Sequence, residues 1–241
     1  MDSLNKIITL TGIELKKIYS QKKYLLLLFV TAISGVIPAL TGMPMPNLPY
    51  TVLSVLTMFV VPLAAMMLSA DLVAGETVQN ELKILLTRPV ERYQIIAAKT
   101  AAAVLYGGGL LAAAGTVSAV IAAAAAGLSG IAVLSILFAY LVSLLPVLTW
   151  SAMFVLIAVI SRSPSASFGT SLLVYIGSVV AGIVFSDIAS LLPTSYTSIG
   201  TMVIGSQIPV ASLLTGVFLL IGYGCISFCL SGLIFQKRDF L

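Results

Sequence analysis

Residues 71–100 read DLVAGETVQNELKILLTRPVERYQIIAAKT and form the polar island of an otherwise apolar chain. Of the twelve basic and eight acidic residues in the protein, eight fall in this stretch. The runs on either side, 51–70 and 100–126, carry no charge. Each is long enough to cross roughly 30 Å of hydrocarbon, which takes about 20 apolar residues. The island is therefore a water-facing segment between two membrane spans, and the side on which it lies fixes the topology of the rest.

Working outward, six stretches qualify as spans: 24–42, 51–70, 100–126, 131–160, 168–185 and 210–235. A chain that is 60% hydrophobic and 8% charged, with a mean hydropathy of +1.16, has the composition of an integral membrane protein. Lysine and arginine mark the cytoplasmic side. They occur before the first span (Lys6, Lys16, Lys17, Lys22, Lys23), in the island (Lys83, Arg88, Arg92, Lys99), at Arg162, and at Lys237 and Arg238. The alternate loops 43–50, 127–130 and 186–209 contain none, and their only acid is Asp187. The expected fold is an all-α membrane protein with six transmembrane helices and both termini cytoplasmic. Residues 1–23 form a cytoplasmic interfacial helix and 24–241 a single transmembrane domain. In the first segment Leu4, Ile7, Ile8, Thr11, Leu15 and Ile18 recur at helical spacing, with Lys6, Lys16 and Lys17 off the stripe. The long polar lead and the absence of a small-residue cleavage site argue for a retained first span rather than a secretory signal.

Composition also narrows the function. The basic residues read as scattered topological anchors, which excludes a nucleic-acid surface. There is no histidine, and Cys225 and Cys229 read as small apolar packers on one helical face, leaving no ligand set for zinc. The six spans as bounded contain no Asp, Glu, Lys or Arg, so the usual device of a proton- or ion-coupled transporter is missing. An intramembrane enzyme would lack a base for its nucleophile. Pro62 and Pro146 are expected to kink their spans, and Gly107–Gly109 to allow close helix packing. The external segment 186–209, broken by Pro193 and Gly200, is expected to form one or two short re-entrant helices.

Within the island, Val78, Leu82, Leu85 and Leu86 recur on one face, while Glu76, Asn80, Glu81 and Lys83 are polar. This pattern predicts a short amphipathic helix on the cytoplasmic side. Thr87, Arg88 and Pro89 break it, and Pro89 suits the first turn of a second helix that carries Glu91, Tyr93, Ile95 and Ile96 into the third span. A helix, a corner and a helix make a lever.

At Gly75-Glu76, Leu82 to Leu86, Arg88-Pro89-Val90, Arg92 and Lys99 the chain resembles the membrane subunits of type 2 ATP-binding-cassette (ABC) exporters, whose first cytoplasmic loop carries this succession. Asn80-Glu81 departs from the Gly-Thr common in that family. The resemblance implies a permease subunit that exports a hydrophobic or amphipathic substrate. It implies a second permease copy or paralogue and two copies of a cytosolic ABC ATPase subunit, which binds the ATP and Mg. This chain would bind no cofactor and catalyse nothing, and it contains no GxxxxGK[ST] phosphate loop of its own. The implied coupling residues are Glu76, Val78, Asn80, Glu81, Leu82, Leu85, Leu86, Thr87, Arg88, Pro89 and Arg92, with Arg162 as a second contact. The implied location is the plasma membrane of a bacterium or archaeon. The alternative is an ATP-independent membrane scaffold or immunity protein whose polar loop binds a regulator.

Overall fold

The computed structural model describes residues 3–34, 36, 45–78, 91–126, 133–203 and 210–237, and among them the protein is helical, without a strand. Helix α1 spans Ser3–Ser20 and α2 spans Lys22–Ser34. Five further helices are long and apolar enough to cross a membrane: α3 (Leu48–Val78), α4 (Arg92–Ala126), α5 (Val133–Ile160), α6 (Pro164–Val184) and α7 (Val210–Lys237). The expected first span begins in α2, and most of its remainder, 35 and 37–42, lies outside the described residues.

The amphipathic reading of α1 holds, with a change of face. Thr11, Glu14 and Ile18 turn inward against α4, whereas Leu4, Ile8 and Ile13 remain exposed. The expected stripe thus divides into a part that packs on protein and a part that faces outward, suited to hydrocarbon.

Helix α3 runs past both ends of its expected span, and its winding loosens twice, becoming π-helical at Leu56–Val60 and Ala70–Gly75. Pro62 follows the first of these. Proline has no N–H to return to the Met58 carbonyl, and the Tyr175 hydroxyl of α6 donates to that oxygen instead. In α5 the helix is interrupted at Ser143, one turn before Pro146, and the Ser143 hydroxyl donates to the Ala139 carbonyl. The carbonyl freed by Pro62 is therefore taken by a neighbouring hydroxyl, whereas the Ala139 oxygen also accepts the Ser143 backbone N–H and is not the one that Pro146 frees.

Close packing relies on small residues. α7 lays Gly216, Gly224, Ser227 and Ser231 toward the interior and runs along α5. On α4, a Cβ at Gly107 would lie 2.7 Å from Val147 Cγ1 and one at Gly115 would lie 2.5 Å from the Tyr140 ring, so the glycine cluster serves packing. Cys225 and Cys229 are free thiols on the exposed side of α7, which corrects their reading as packers: the inward positions of that turn belong to Gly224 and Ser227.

Beyond α6 the chain makes three short helical segments, Ser186–Ala189, Pro193–Tyr196 and Ile199–Val203. The last two fold back against α5 and α7 and bury Tyr196, Ile199 and Gly200. A Cβ at Gly200 would overlap the Ala139 carbonyl oxygen and the Ser143 hydroxyl. Gly200→Ala is therefore expected to destabilise the protein by about 1–3 kcal/mol through overpacking. Gly177→Ala, with nothing within 4 Å of the new methyl, should leave it unchanged. Thermal unfolding of the two variants in one detergent reads the difference.

Candidate coupling site

The polar island is held by the ends of α3 and α4, and both ends differ from expectation. α3 does not stop at 70. Its π-helical turn Ala70–Gly75 carries the chain three residues further, through Glu76–Val78, and buries Leu72, Val73, Ala74 and Glu76. α4 begins at Arg92, so Lys99 lies on the same unbroken helix as the third span. Its first turn is fixed by Gln94, whose side-chain oxygen accepts the Glu91 backbone N–H at 3.2 Å, half of a capping box. Ile95 and Ile96 are core residues packed with Val73, Val155, Ala158, Val159 and Phe235. That cluster ties α3, α4, α5 and α7 together at the basic end of the bundle.

Beside it lies a cluster of charges that runs across three helices. Lys99 Nζ of α4 donates to Glu14 Oε1 of α1 at 2.8 Å and to Glu76 Oε2 of α3 at 2.6 Å. Lys17 Nζ of α1 donates to the other Glu76 oxygen at 2.9 Å. Lys99 is 1% exposed and Glu76 3%, whereas Lys17 reaches the surface. Two ammonium and two carboxylate groups make the cluster neutral, the condition under which buried charge is tolerated. Glu14 Oε2 is buried without a hydrogen-bond partner, so the acid on α1 depends on Lys99 for its compensation.

A second set of contacts flanks the first. Asp71 receives the Lys23 ammonium and the Tyr24 hydroxyl, and Lys23 lies 5.0 Å above the Tyr24 ring. Tyr106 of α4 donates to the Tyr24 carbonyl at 2.8 Å. Arg92 Nη1 donates to the Gln236 carbonyl at 2.7 Å, where a cation meets the negative end of the α7 dipole. Lys17, Lys23 and Lys99 thus have specific acidic partners, which corrects their reading as scattered anchors. The charges Asp71, Glu76 and Lys99 lie on helical continuations of the spans that sequence bounds had placed outside them.

The expected coupling residues fall into three groups. Glu76 and Arg92 are engaged within the fold. Val78 and Arg162 are exposed, the latter in the turn between α5 and α6. Asn80, Glu81, Leu82, Leu85, Leu86, Thr87, Arg88 and Pro89 lie outside the described residues. Sequence reasoning passed over Glu14. Its spacing was the available signal, since it falls three residues after Thr11 and four before Ile18, on the inward stripe of α1.

Removing Lys99 strands the buried Glu14 and leaves Glu76 paired with Lys17 alone. Lys99→Met is expected to cost about 3–5 kcal/mol, the usual penalty for breaking a buried pair. Adding Glu14→Gln should recover part of that loss. A double-mutant cycle on thermal unfolding in detergent checks this, and strictly additive effects would contradict the direct coupling.

No curated protein matches the chain. The family described as ABC-2 family transporter protein matches residues 3–240, nearly its whole length. With that match and, among the described residues, five helices long and apolar enough to cross a membrane, the chain belongs to the ABC-2 transporter family, as a multi-pass membrane permease subunit of an ABC transporter.

Proposed function

We propose that this chain exports a hydrophobic or amphipathic molecule, driven by ATP that a separate cytosolic ATPase subunit hydrolyses with Mg. Two permease chains, identical or paralogous, enclose the path, and each engages one ATPase copy. The basic end of the bundle is cytoplasmic, in a bacterial or archaeal plasma membrane, and the chain itself performs no catalysis.

The observation that carries this reading is the ion cluster at the root of the polar island. Lys99 and Glu76 stand on the two helices between which residues 79–90 are strung, and Glu14 and Lys17 bind the same pair to α1. A displacement applied to the island therefore reaches α1, α3 and α4 together. Glu76 contributes from inside this joint, and Val78, Leu82, Leu85 and Leu86 supply the apolar face that meets the ATPase. Asn80, Glu81, Thr87, Arg88 and Pro89 belong to the same proposed contact. Arg162 makes the smaller second contact from the α5–α6 turn.

The chain is expected to co-purify with an ABC ATPase from native membranes. Val78→Asp, Leu82→Asp and Leu85→Asp should each weaken that complex at least tenfold, because each places a charge on the proposed docking face; thermal unfolding of each variant checks that the loss is not one of folding. Arg162→Ala should weaken it less. Wild-type binding by all three aspartate variants would remove the island from the interface.

A further inference from the structure

The interior face of α6 is made of hydroxyls. Its buried residues are Ser167, Ser171 and Tyr175, one turn apart along a single stripe. The Tyr175 hydroxyl is satisfied by the Met58 carbonyl, but Ser167 Oγ and Ser171 Oγ are fully buried and have no partner. The elements facing this stripe repeat the pattern. On α3, Ser69 Oγ is buried and unpartnered, and on α5 so are Ser151 Oγ and Trp150 Nε1.

Ser69, Ser167, Ser171 and Trp150 stand on the helices of one interface, whereas Ser151 shares the α5 face of Val147, Val155 and Ala158, which packs on α3, α4 and α7. α3, α5 and α6 pack on one another around the apolar side chains of Met66, Phe154 and Leu172, and the Trp150 ring stands edge-on to Tyr175 with centroids 4.8 Å apart. α3 and α6 run in opposite directions, with Gly75 beside Pro164 at one end and Met58 bonded to Tyr175 at the other. That register brings Ser69 to the depth of Ser167 and Ser171. The seam starts close to the surface, because a cleft of about 380 Å³ at the basic end is lined by Lys23, Asp71, Ala70, Pro164, Ser165 and Phe168. Ala70 and Phe168 are the chain neighbours of Ser69 and Ser167.

Hydroxyls elsewhere in these helices donate back to a carbonyl one turn earlier, as Thr57, Thr100 and Thr149 do. The seam serines forgo that bond. A buried polar group without a partner costs about 1–3 kcal/mol, and native proteins carry few of them. Three serines and one indole along one interface is a concentration of such groups. Trp Nε1 can only donate, so what completes it must accept.

We propose that the α3–α5–α6 interface is a closed polar seam of the transport path. When the ATPase drives the spans apart, it admits water from the cleft beside Lys23 and Asp71. It also takes the acceptor oxygens of a substrate whose apolar body lies along Met66, Phe154 and Leu172. The inference rests on the transport reading above and adds to it where, within one chain, the polar part of the cargo is received.

The test uses the permease–ATPase complex in nanodiscs. Ser69→Cys, Ser167→Cys and Ser171→Cys are introduced singly into a Cys225→Ser/Cys229→Ser background. A charged, membrane-impermeant thiosulfonate is applied without nucleotide and during ATP turnover. Ser167→Cys and Ser171→Cys should react at least tenfold faster during turnover, while the outward-facing Leu173→Cys and Ile183→Cys stay unreactive. Hydroxyl-radical oxidation of Trp150 in the wild-type complex, mapped by mass spectrometry, should rise in the same state and needs no substitution in the seam. If permease-dependent ATP hydrolysis is intact and both the seam thiols and Trp150 stay protected in every state, the seam is not a path and the transport reading survives. If no ATPase complex forms, both fall.

Discussion

The arrangement at the basic end of the bundle depends on one buried ammonium. Lys99 is almost completely withdrawn from solvent, and a charge in that position persists only if acids are brought to it. Glu14 arrives from α1 and Glu76 from α3, so a single side chain requires three helices to meet at a fixed height. Replacing such a cluster with apolar residues often costs little, whereas removing one member costs much. Its value therefore lies in specificity: it fixes where α1 docks and how α3 and α4 stand where the polar island begins.

The same end shows how a span can turn into a joint. The π-helical turn Ala70–Gly75 keeps α3 helical past its apolar run and rotates Glu76 inward, while Asp71 remains available to Lys23 and Tyr24. At the far end, Pro62 and the π-helical turn before it free the Met58 carbonyl for Tyr175. α3 is thus loosely wound at two of the places where polar side chains bond it to a neighbour; a third bond, from the Tyr140 hydroxyl to the Pro49 carbonyl at 2.9 Å, meets its regular first turn. Irregular backbone inside a membrane protein needs such partners, and here Lys23, Tyr24 and Tyr175 supply polar ones.

Much of this was legible in the sequence. Apolar runs gave the helices, the prolines marked the loosened turn of α3 and the interruption of α5, and Gly200 and Pro193 marked the segment after α6 that folds back on α5 and α7. The charged residues were harder to read. Counting Lys99 as a loop residue ignored that an uninterrupted helical run, from Arg92 to Ala126, is about 52 Å long at 1.5 Å per residue and extends well beyond the hydrocarbon. At the ends of such helices a charge can be both buried and close to water. Pairing among Glu14, Lys17, Glu76 and Lys99 depends on how α1 is laid against α4, and no local pattern carries that information. Cys225 and Cys229 were assigned to the wrong side of α7 because small size alone does not distinguish an inward position from an outward one. The neighbouring Gly224 and Ser227 hold the inward places.

The central claim is that the ion cluster makes α1, α3 and α4 one mechanical unit. Pulsed electron-spin distance measurements on the permease–ATPase complex test it most directly. Spin labels are placed at the exposed positions Ile8 of α1 and Leu105 of α4, with a second pair at Ile8 and Leu173 of α6. The account predicts that ATP binding leaves the Ile8–Leu105 distribution unchanged while shifting Ile8–Leu173, and that Lys99→Met broadens the first distribution. An Ile8–Leu105 distance that shifts with ATP in the wild-type protein, or that is equally narrow without the Lys99 ammonium, would contradict it.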